Sequence, residues 1–432
     1  MSNAELLVVI VCVLFALMSA GNWVFASLGF AGVLGIWLFG ANVPTAVSLQ
    51  MWSSLNSFVL TAIPLFIFMG EVMLRSGISD SLYSGISTWV GKLPGGLLHS
   101  NIVSCALFAA ISGSSIATSA TVGTVAIPDQ TKRGYDKQLV IGSLSAAGTL
   151  GILIPPSLAM IVYGSWMECS VAQLFMGGVV PGILLAVLFS LYIAARCTIN
   201  PRLTPRVEAS WGDRLHSVKD IWPGFTIIAF IMLSIYLGIM TPTETAAVAS
   251  IASLVIALAL RKLTFGILTE CAMNTVRTTA MLMLIVVGAK IFVMALIYLK
   301  VTILLPNFIA GMNLSPNMVL VVIYVIYLVL GCFFDGMSLT LVTLPFVQPI
   351  ILAMGIDPIW FGIVMVVLIE IGLITPPVGM NLYVVMGISA GTTLGEMTRA
   401  VVPFLAILML GVLLLNMFPE LALWLPSKMA AG

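Results

Sequence analysis

The sequence repeats a set of backbone-breaking residues at a fixed offset, and that repeat limits the folds open to the chain. Ser112-Gly113-Ser114-Ser115 is followed by Gly151-Ile152-Leu153-Ile154-Pro155-Pro156, with Pro155 forty-one residues after Ser114. Phe334-Asp335-Gly336-Met337-Ser338 is followed by Gly372-Leu373-Ile374-Thr375-Pro376-Pro377, with Pro376 forty-one residues after Asp335. A shift of 221 residues places Pro128 on Pro349, Gly134 on Gly355, Asp136 on Asp357, Gly151 on Gly372 and one Pro-Pro pair on the other. The coincident residues steer the backbone or cap helices, while the apolar residues between them drift. A duplicated scaffold with interchangeable lipid-facing side chains has this pattern. Breakers at matched places inside apolar segments point to the binding site of a secondary transporter.

Of the 432 residues, 61% are hydrophobic and 8% charged, against about 25% charged in a soluble protein. The chain therefore reads as an all-α polytopic membrane protein with the lipid bilayer as its solvent. A net charge of +1 suggests no nucleic-acid surface. Six cysteines fall singly in or beside apolar runs, so neither a disulfide framework nor a transition-metal site is indicated. The first twenty residues lack a basic region and a cleavage site and read as an anchor that stays.

A membrane helix needs about 20 apolar residues. Candidate spans are 5–20, 23–41, 56–74, 138–163, 171–196, 222–240, 243–260, 273–297, 359–386 and 400–420. Stretches 99–131 and 316–354 each carry a polar, Gly-containing interruption that leaves two short arms. They read as re-entrant helical hairpins with tips at 112–115 and 334–338, buried in protein or lining a wet cavity. Segments 76–98 and 301–314 read as interfacial pieces. The basic loop 197–221 is the joint between a first inverted repeat, 1–210, and a second, 211–432. Placing its Arg202, Arg206, Arg214 and Lys219 in the cytoplasm puts both termini outside and makes the hairpins enter from opposite faces.

At the first tip, hydroxyls at 115, 118 and 121 share a helix face. They suit a close-packed seam, or they join Ser112, Ser114 and freed carbonyls around a hard cation or a substrate. Asp335 is a costly carboxylate at membrane depth, hence a functional candidate, and also a favoured N-cap. The proline pairs 155–156 and 376–377 break their helices and free the carbonyls of Gly151, Leu153, Gly372 and Ile374. Thr375 adds a hydroxyl. Thr241 and Thr243 are candidate caps with Glu244 in the first turn; Glu71 and Arg75 are spaced to pair along a helix. Glu370 and Lys290 are costly intramembrane charges; Lys290 meets an anion, pairs with an acid, or snorkels to the outer face. No phosphate-binding loop, zinc helix or nucleophile elbow is present, so ATP is not hydrolysed by this chain.

These segments resemble a known family. The runs ISGSSIATSATVGTVAIP (111–128), SAAGTLGILIPPSLAMIVYG (145–164), TPTETAAVA (241–249), FFDGMSLTLVTLPFVQPII (333–351) and GIDPIWFGIVMVVLIEIGLITPPVGMNLYVV (355–385) are similar to the large membrane subunit of DctM-type TRAP transporters. The resemblance covers nearly the whole chain. It implies a prokaryotic inner-membrane, elevator-type importer of organic anions, not an enzyme. The implied partners are a small four-helix membrane subunit on a separate polypeptide and a periplasmic substrate-binding protein. It implies Na⁺ as coupling ion, without an organic cofactor, held by Ser114, Ser115, Asp335, Gly372 and Thr375. Ser112, Thr118, Pro155, Pro156, Ser338, Pro376 and Pro377 are then expected at the substrate. Lys290 departs from the apolar or small residue expected at its place. Two other mechanisms remain open at this stage: a proton-coupled carboxylate carrier or channel working without a binding protein and relaying through Glu370 and Asp335, and an intramembrane enzyme built on Asp335.

Overall fold

The computed structural model describes residues 3–40, 43–91, 93–205 and 211–429, and among these the chain is helical without a strand. The first half runs α1 (Asn3–Ser19), α2 (Val24–Leu38), α3 (Val43–Leu55), α4 (Ala62–Arg75), α5 (Ile78–Val90), α6 (Leu97–Ser112), α7 (Ser115–Lys132), α8 (Lys137–Thr149), α9 (Leu158–Met167) and α10 (Val171–Ile199). The second runs α11 (Trp211–Tyr236), α12 (Pro242–Ala259), α13 (Phe265–Tyr298), α14 (Val301–Gly311), α15 (Pro316–Gly331), α16 (Gly336–Ala353), α17 (Pro358–Leu373), α18 (Met380–Ile388), α19 (Leu394–Met417) and α20 (Glu420–Ser427). Among the described residues, α10, α11, α12, α13, α16 and α19 are long and apolar enough to cross a membrane, and the bent pair Val43–Leu55 with Val59–Arg75 brings the total to 7.

Both expected hairpins are present. α6 and α7 lie side by side, because the Gln130 amide donates to the Leu97 carbonyl at 3.0 Å and Asn101 Nδ2 donates to Gln130 Oε1 at 3.1 Å. The turn between them needs Gly113, whose φ is +60°. In the second hairpin the Thr343 hydroxyl bridges to Tyr327 at 2.7 Å. α16, read from sequence as a short arm, reaches the length of a span. Its partner α15 still ends at Gly331 and hands the chain back through residues 332–335.

The two expected broken helices are α8–α9 and α17–α18, interrupted at cis Pro155-Pro156 and cis Pro376-Pro377. They run antiparallel. Tyr163, near the end of α9, donates to the carbonyl of Pro358 at the start of α17, at 2.7 Å. Lys137, at the start of α8, reaches the Gly391 carbonyl beyond α18 at 3.4 Å. α7 ends just before α8 begins and α16 just before α17, so the hairpins are rooted at opposite ends of the core. Every residue from Leu139 to Thr149 and from Ile359 to Leu373 is buried. A helix apolar all round belongs inside the protein, and these two form its centre.

Around them, the scaffold helices pack through small residues. A Cβ on Gly32 of α2 would lie 2.7 Å from the Ile291 backbone of α13, and one on Gly288 would lie 2.5 Å from the Phe25 carbonyl oxygen. Such approach is how membrane helices gain contact without a hydrophobic driving force. Several boundaries differ from the sequence reading. α11 begins at Trp211 and α13 at Phe265, earlier than 222 and 273, since polar first turns extend beyond the apolar runs. α3 was not foreseen. Ser48, Gln50, Ser53 and Ser54 dilute its apolar character, yet Ser48 and Ser54 each return their hydroxyl to a backbone carbonyl four residues earlier, at 2.7 Å. The expected joint 197–221 contains a 3-10 turn, Pro201–Leu203, and residues 206–210 of it lie outside the described set.

Candidate functional site

The two tips present equivalent residues of the repeat as helix N-caps. Ser114 Oγ accepts from the Ala117 amide at 3.4 Å and caps α7. Asp335 Oδ2 accepts from the Met337 and Ser338 amides at 3.0 and 3.2 Å and caps α16. Oδ1 stands outside both bonds. Both readings of Asp335 thus survive at once, since capping α16 uses only one oxygen of the carboxylate.

Ser114 and Asp335 line one cavity of about 530 Å³. Ser112, Ser115 and Gly336 join them, with Ile152 and Leu158 flanking the first break and Leu373 and Met380 the second. The facing wall is scaffold: Gly70, Glu71 and Leu74 of α4, and Thr278, Met281 and Leu282 of α13.

Each tip rests on the break of its own half. A Cβ on Gly151 would meet the Ser114 carbonyl oxygen at 2.8 Å and Thr118 Oγ1 at 2.9 Å; one on Gly372 would meet Gly331 Cα at 2.6 Å. The Gly379 amide donates to the Cys332 carbonyl at 3.1 Å, tying the second break to the second tip. Oxygen atoms gather at the first tip. Ser112 Oγ lies 2.8 Å from Thr118 Oγ1 and 3.2 Å from the Ser114 carbonyl, and Ser115 Oγ donates to the Thr149 carbonyl at 3.1 Å. Hydroxyl, carbonyl and carboxylate oxygens of this kind suit a hard cation rather than a soft one.

Of the residues singled out in the sequence, the structure brings Ser112, Ser114, Ser115 and Asp335 to the cavity surface. Thr118 and Ser338 are buried behind it. Gly372, Pro155 and Pro156 are buried, with the Pro156 carbonyl oxygen 3.0 Å from where a Cβ on Gly113 would lie; Pro376 is half-buried and Pro377 is exposed. Thr375 donates its hydroxyl to the Ile371 carbonyl at 2.6 Å. Glu71 reaches the cavity as well as pairing with Arg75 at 2.9 Å, and it accepts from Asn274 Nδ2 at 3.1 Å; Arg75 also pairs with Glu270. Helical spacing announced the first pair but not the partners from α13. Thr278 and Met281 were missed, because nothing in α13 distinguishes the face turned to the tips. Glu370 is 0% exposed, and among the described residues neither of its carboxyl oxygens has a hydrogen-bond partner.

Comparison with known proteins identifies the family. The family described as "Tripartite ATP-independent periplasmic transporter, DctM component" matches residues 11–421. The C4-dicarboxylate TRAP transporter large permease protein DctM of Pseudomonas aeruginosa is 38% identical over 404 residues, covering 93% of this chain and 94% of its own. The sialic acid TRAP transporter large permease SiaM of Vibrio cholerae is 30% identical over 95% of this chain and 96% of its own. In fold, the chain is similar to the crystal structure of the YdaH transporter of Alcanivorax borkumensis, with a TM-score of 0.64, 17% identity, and coverage of 88% of this chain and 89% of that one. A permease match across the chain leaves no place for the enzymatic reading of Asp335. This multi-pass membrane protein belongs to the DctM family, the large permease subunits of TRAP transporters.

Proposed function

We propose that this chain is the large permease of a sodium-coupled importer of a small organic anion of the carboxylate class. Support comes first from the meeting of Ser114 and Asp335, equivalent positions of the repeat, at one cavity. Sodium would sit among the oxygens of Ser112, Ser114, Ser115 and Asp335, with the backbone at Gly372 and the Thr375 hydroxyl contributing from the second break. A cation there offsets part of the charge an acidic substrate brings into a low dielectric, so the two bind cooperatively. Relatives named for C4-dicarboxylate, sialic acid and isethionate transport support an acidic substrate. A small membrane subunit and a periplasmic binding protein would complete the assembly in the bacterial inner membrane, with both termini outside. The core carrying the tips would slide against the scaffold wall of α4 and α13 as an elevator.

The test is uptake in vesicles reconstituted with the cognate small subunit and binding protein. Asp335→Asn keeps a cap acceptor for α16 and removes the charge. The expected result is folded protein whose sodium-dependent uptake is lost. Uptake that persists undiminished when potassium replaces sodium at fixed pH would refute sodium coupling. A second reading, proton coupling through Asp335 and Glu370, draws on the complete burial of the unpaired Glu370 carboxyl. It requires uptake that survives the potassium exchange and follows the pH gradient.

A further inference from the structure

A second cavity of about 230 Å³ lies on two of the helices that line the tip cavity, α9 and α13, and on α3 and the turn before α4. Along α13, Met281 and Leu282 face the tips, and Val286 and Lys290 face the second cavity. Along α9 the order is Leu158 and Ala159, then Val162, Ser165 and Trp166. Along α4 and the turn before it, Gly70 and Ile67 face the tips, while Leu60 and Ser57 face the second cavity. Along α9 and α13 the two cavities are therefore about one turn apart, a rise of roughly 5–6 Å. The second cavity lies toward the end of the core at which hairpin two is rooted, because Trp166 closes α9 beside the arm α16, where Gln348 Nε2 donates to its carbonyl at 3.4 Å.

The lining of this cavity is unlike that of a packing defect. Gln50, Ser53 and Ser54 of α3 supply polar groups, joined by Ser57 and by Ser165 of α9. Lys290 supplies the cation, with its Nζ 4.2 Å from the centroid of the Trp166 ring. No acidic side chain among the described residues pairs with Lys290 within 4.0 Å. Glu168, beyond α9, is the acid that acts on it, from outside that distance. A half-buried ammonium held over an indole face, in a cavity it shares with the Gln50 amide and several serines and with no carboxylate within 4.0 Å among the described residues, has the chemistry of an anion receptor. A snorkelling lysine would instead be expected to carry its head out to bulk water.

We propose that Lys290, Trp166 and the Gln50 amide form a second binding site for a small carboxylate anion, about one helical turn from the tip cavity along α9 and α13. The site does not depend on sodium coupling at the tips. Its test uses the full chain in lipid nanodiscs with Cys12 and Cys169 replaced by serine and the exposed, cavity-lining Ser53→Cys as reporter. Labelling rates are compared for an anionic sulfonated methanethiosulfonate and a neutral hydroxyl analogue, in sodium-free potassium buffer, with and without succinate. A focused cationic cleft raises anion arrival about tenfold or more. The expected result is that Lys290→Gln lowers the anionic-to-neutral rate ratio by about that factor and abolishes protection by succinate. The neutral reagent's rate reports that the fold is intact. A ratio unchanged by Lys290→Gln, no protection by succinate, or protection that appears only when sodium is added would overturn the assignment.

Discussion

Replacing Gly372 by alanine tests how the second tip is held. The added methyl would lie 2.6 Å from Gly331 Cα, 2.7 Å from its carbonyl carbon and 2.9 Å from its oxygen. Ordinary contacts begin near 3.4 Å, so α15 and α17 must part by most of an ångström. The opposing atoms are backbone, which no rotamer change removes, and α17 is buried from Ile359 to Leu373, which leaves it no free side to retreat toward. Overpacking of this kind costs about 1–3 kcal/mol, and the rigid surroundings place Gly372→Ala at the upper end. That is roughly a hundredfold fall in the folded-to-unfolded ratio. Gly387 supplies the control: it lies in α18, and an added Cβ there meets nothing within 4 Å. Gly387→Ala should be neutral or stabilising by up to about 1 kcal/mol, since alanine favours the helix and restricts the unfolded chain. The assay is thermal denaturation of detergent-solubilised protein followed by size-exclusion chromatography. Equal melting of Gly372→Ala and the parent, or equal losses at both glycines, would refute the rigid-contact argument.

Two further substitutions probe the buried polar groups. Gln130→Leu removes the amide that bonds Tyr83, Leu97 and Asn101 at 3.0, 3.0 and 2.6 Å, strands their polar atoms and should destabilise the chain by about 1–3 kcal/mol in the same melting assay. Glu370→Leu should raise the melting temperature, because a buried carboxyl without partners is replaced by an apolar group of similar volume, a change worth about 1–3 kcal/mol; a lower melting temperature would mean that Glu370 has a stabilising partner.

What the sequence disclosed was backbone chemistry. Asp136 and Asp357 coincide under the repeat, and both cap the first half of a broken helix, α8 and α17. Of the two candidate caps before α12, Thr241 is the one used, and with Glu244 it forms a capping box. Such signals are local, so one chain segment carries them whole. The second cavity was not legible for the opposite reason. Trp166 lies far from Lys290 in the chain, and α3 falls outside the apolar spans that the sequence marks out. Its serines satisfy themselves on their own backbone, which is how a polar helix lives beside apolar ones. Thr375 illustrates a further limit. Its hydroxyl was legible as an oxygen donor, but whether it turns toward the cavity or back to the Ile371 carbonyl depends on a rotamer that spacing does not encode.

The repeat also conceals an asymmetry that bears on what the tip cavity attracts. Helices α7 and α16 both begin at the cavity, and each brings the partial positive charge of its N-terminus to it. At the second tip the cap is a carboxylate, and Asp335 covers the first turn of α16 with two charge-assisted bonds. At the first tip the equivalent residue is a serine, whose neutral hydroxyl satisfies one amide and leaves the dipole of α7 uncompensated. One cavity thus has two unlike flanks: an electropositive helix start at Ser114-Ser115 and an electronegative one at Asp335. Under the proposed function the two ions would use different atoms of the tips: the sodium the oxygens of Asp335 and the serines, the anion the amides at the uncompensated start of α7. An Asp at position 114 or a Ser at position 335 would keep both helices capped but would give the two flanks the same character.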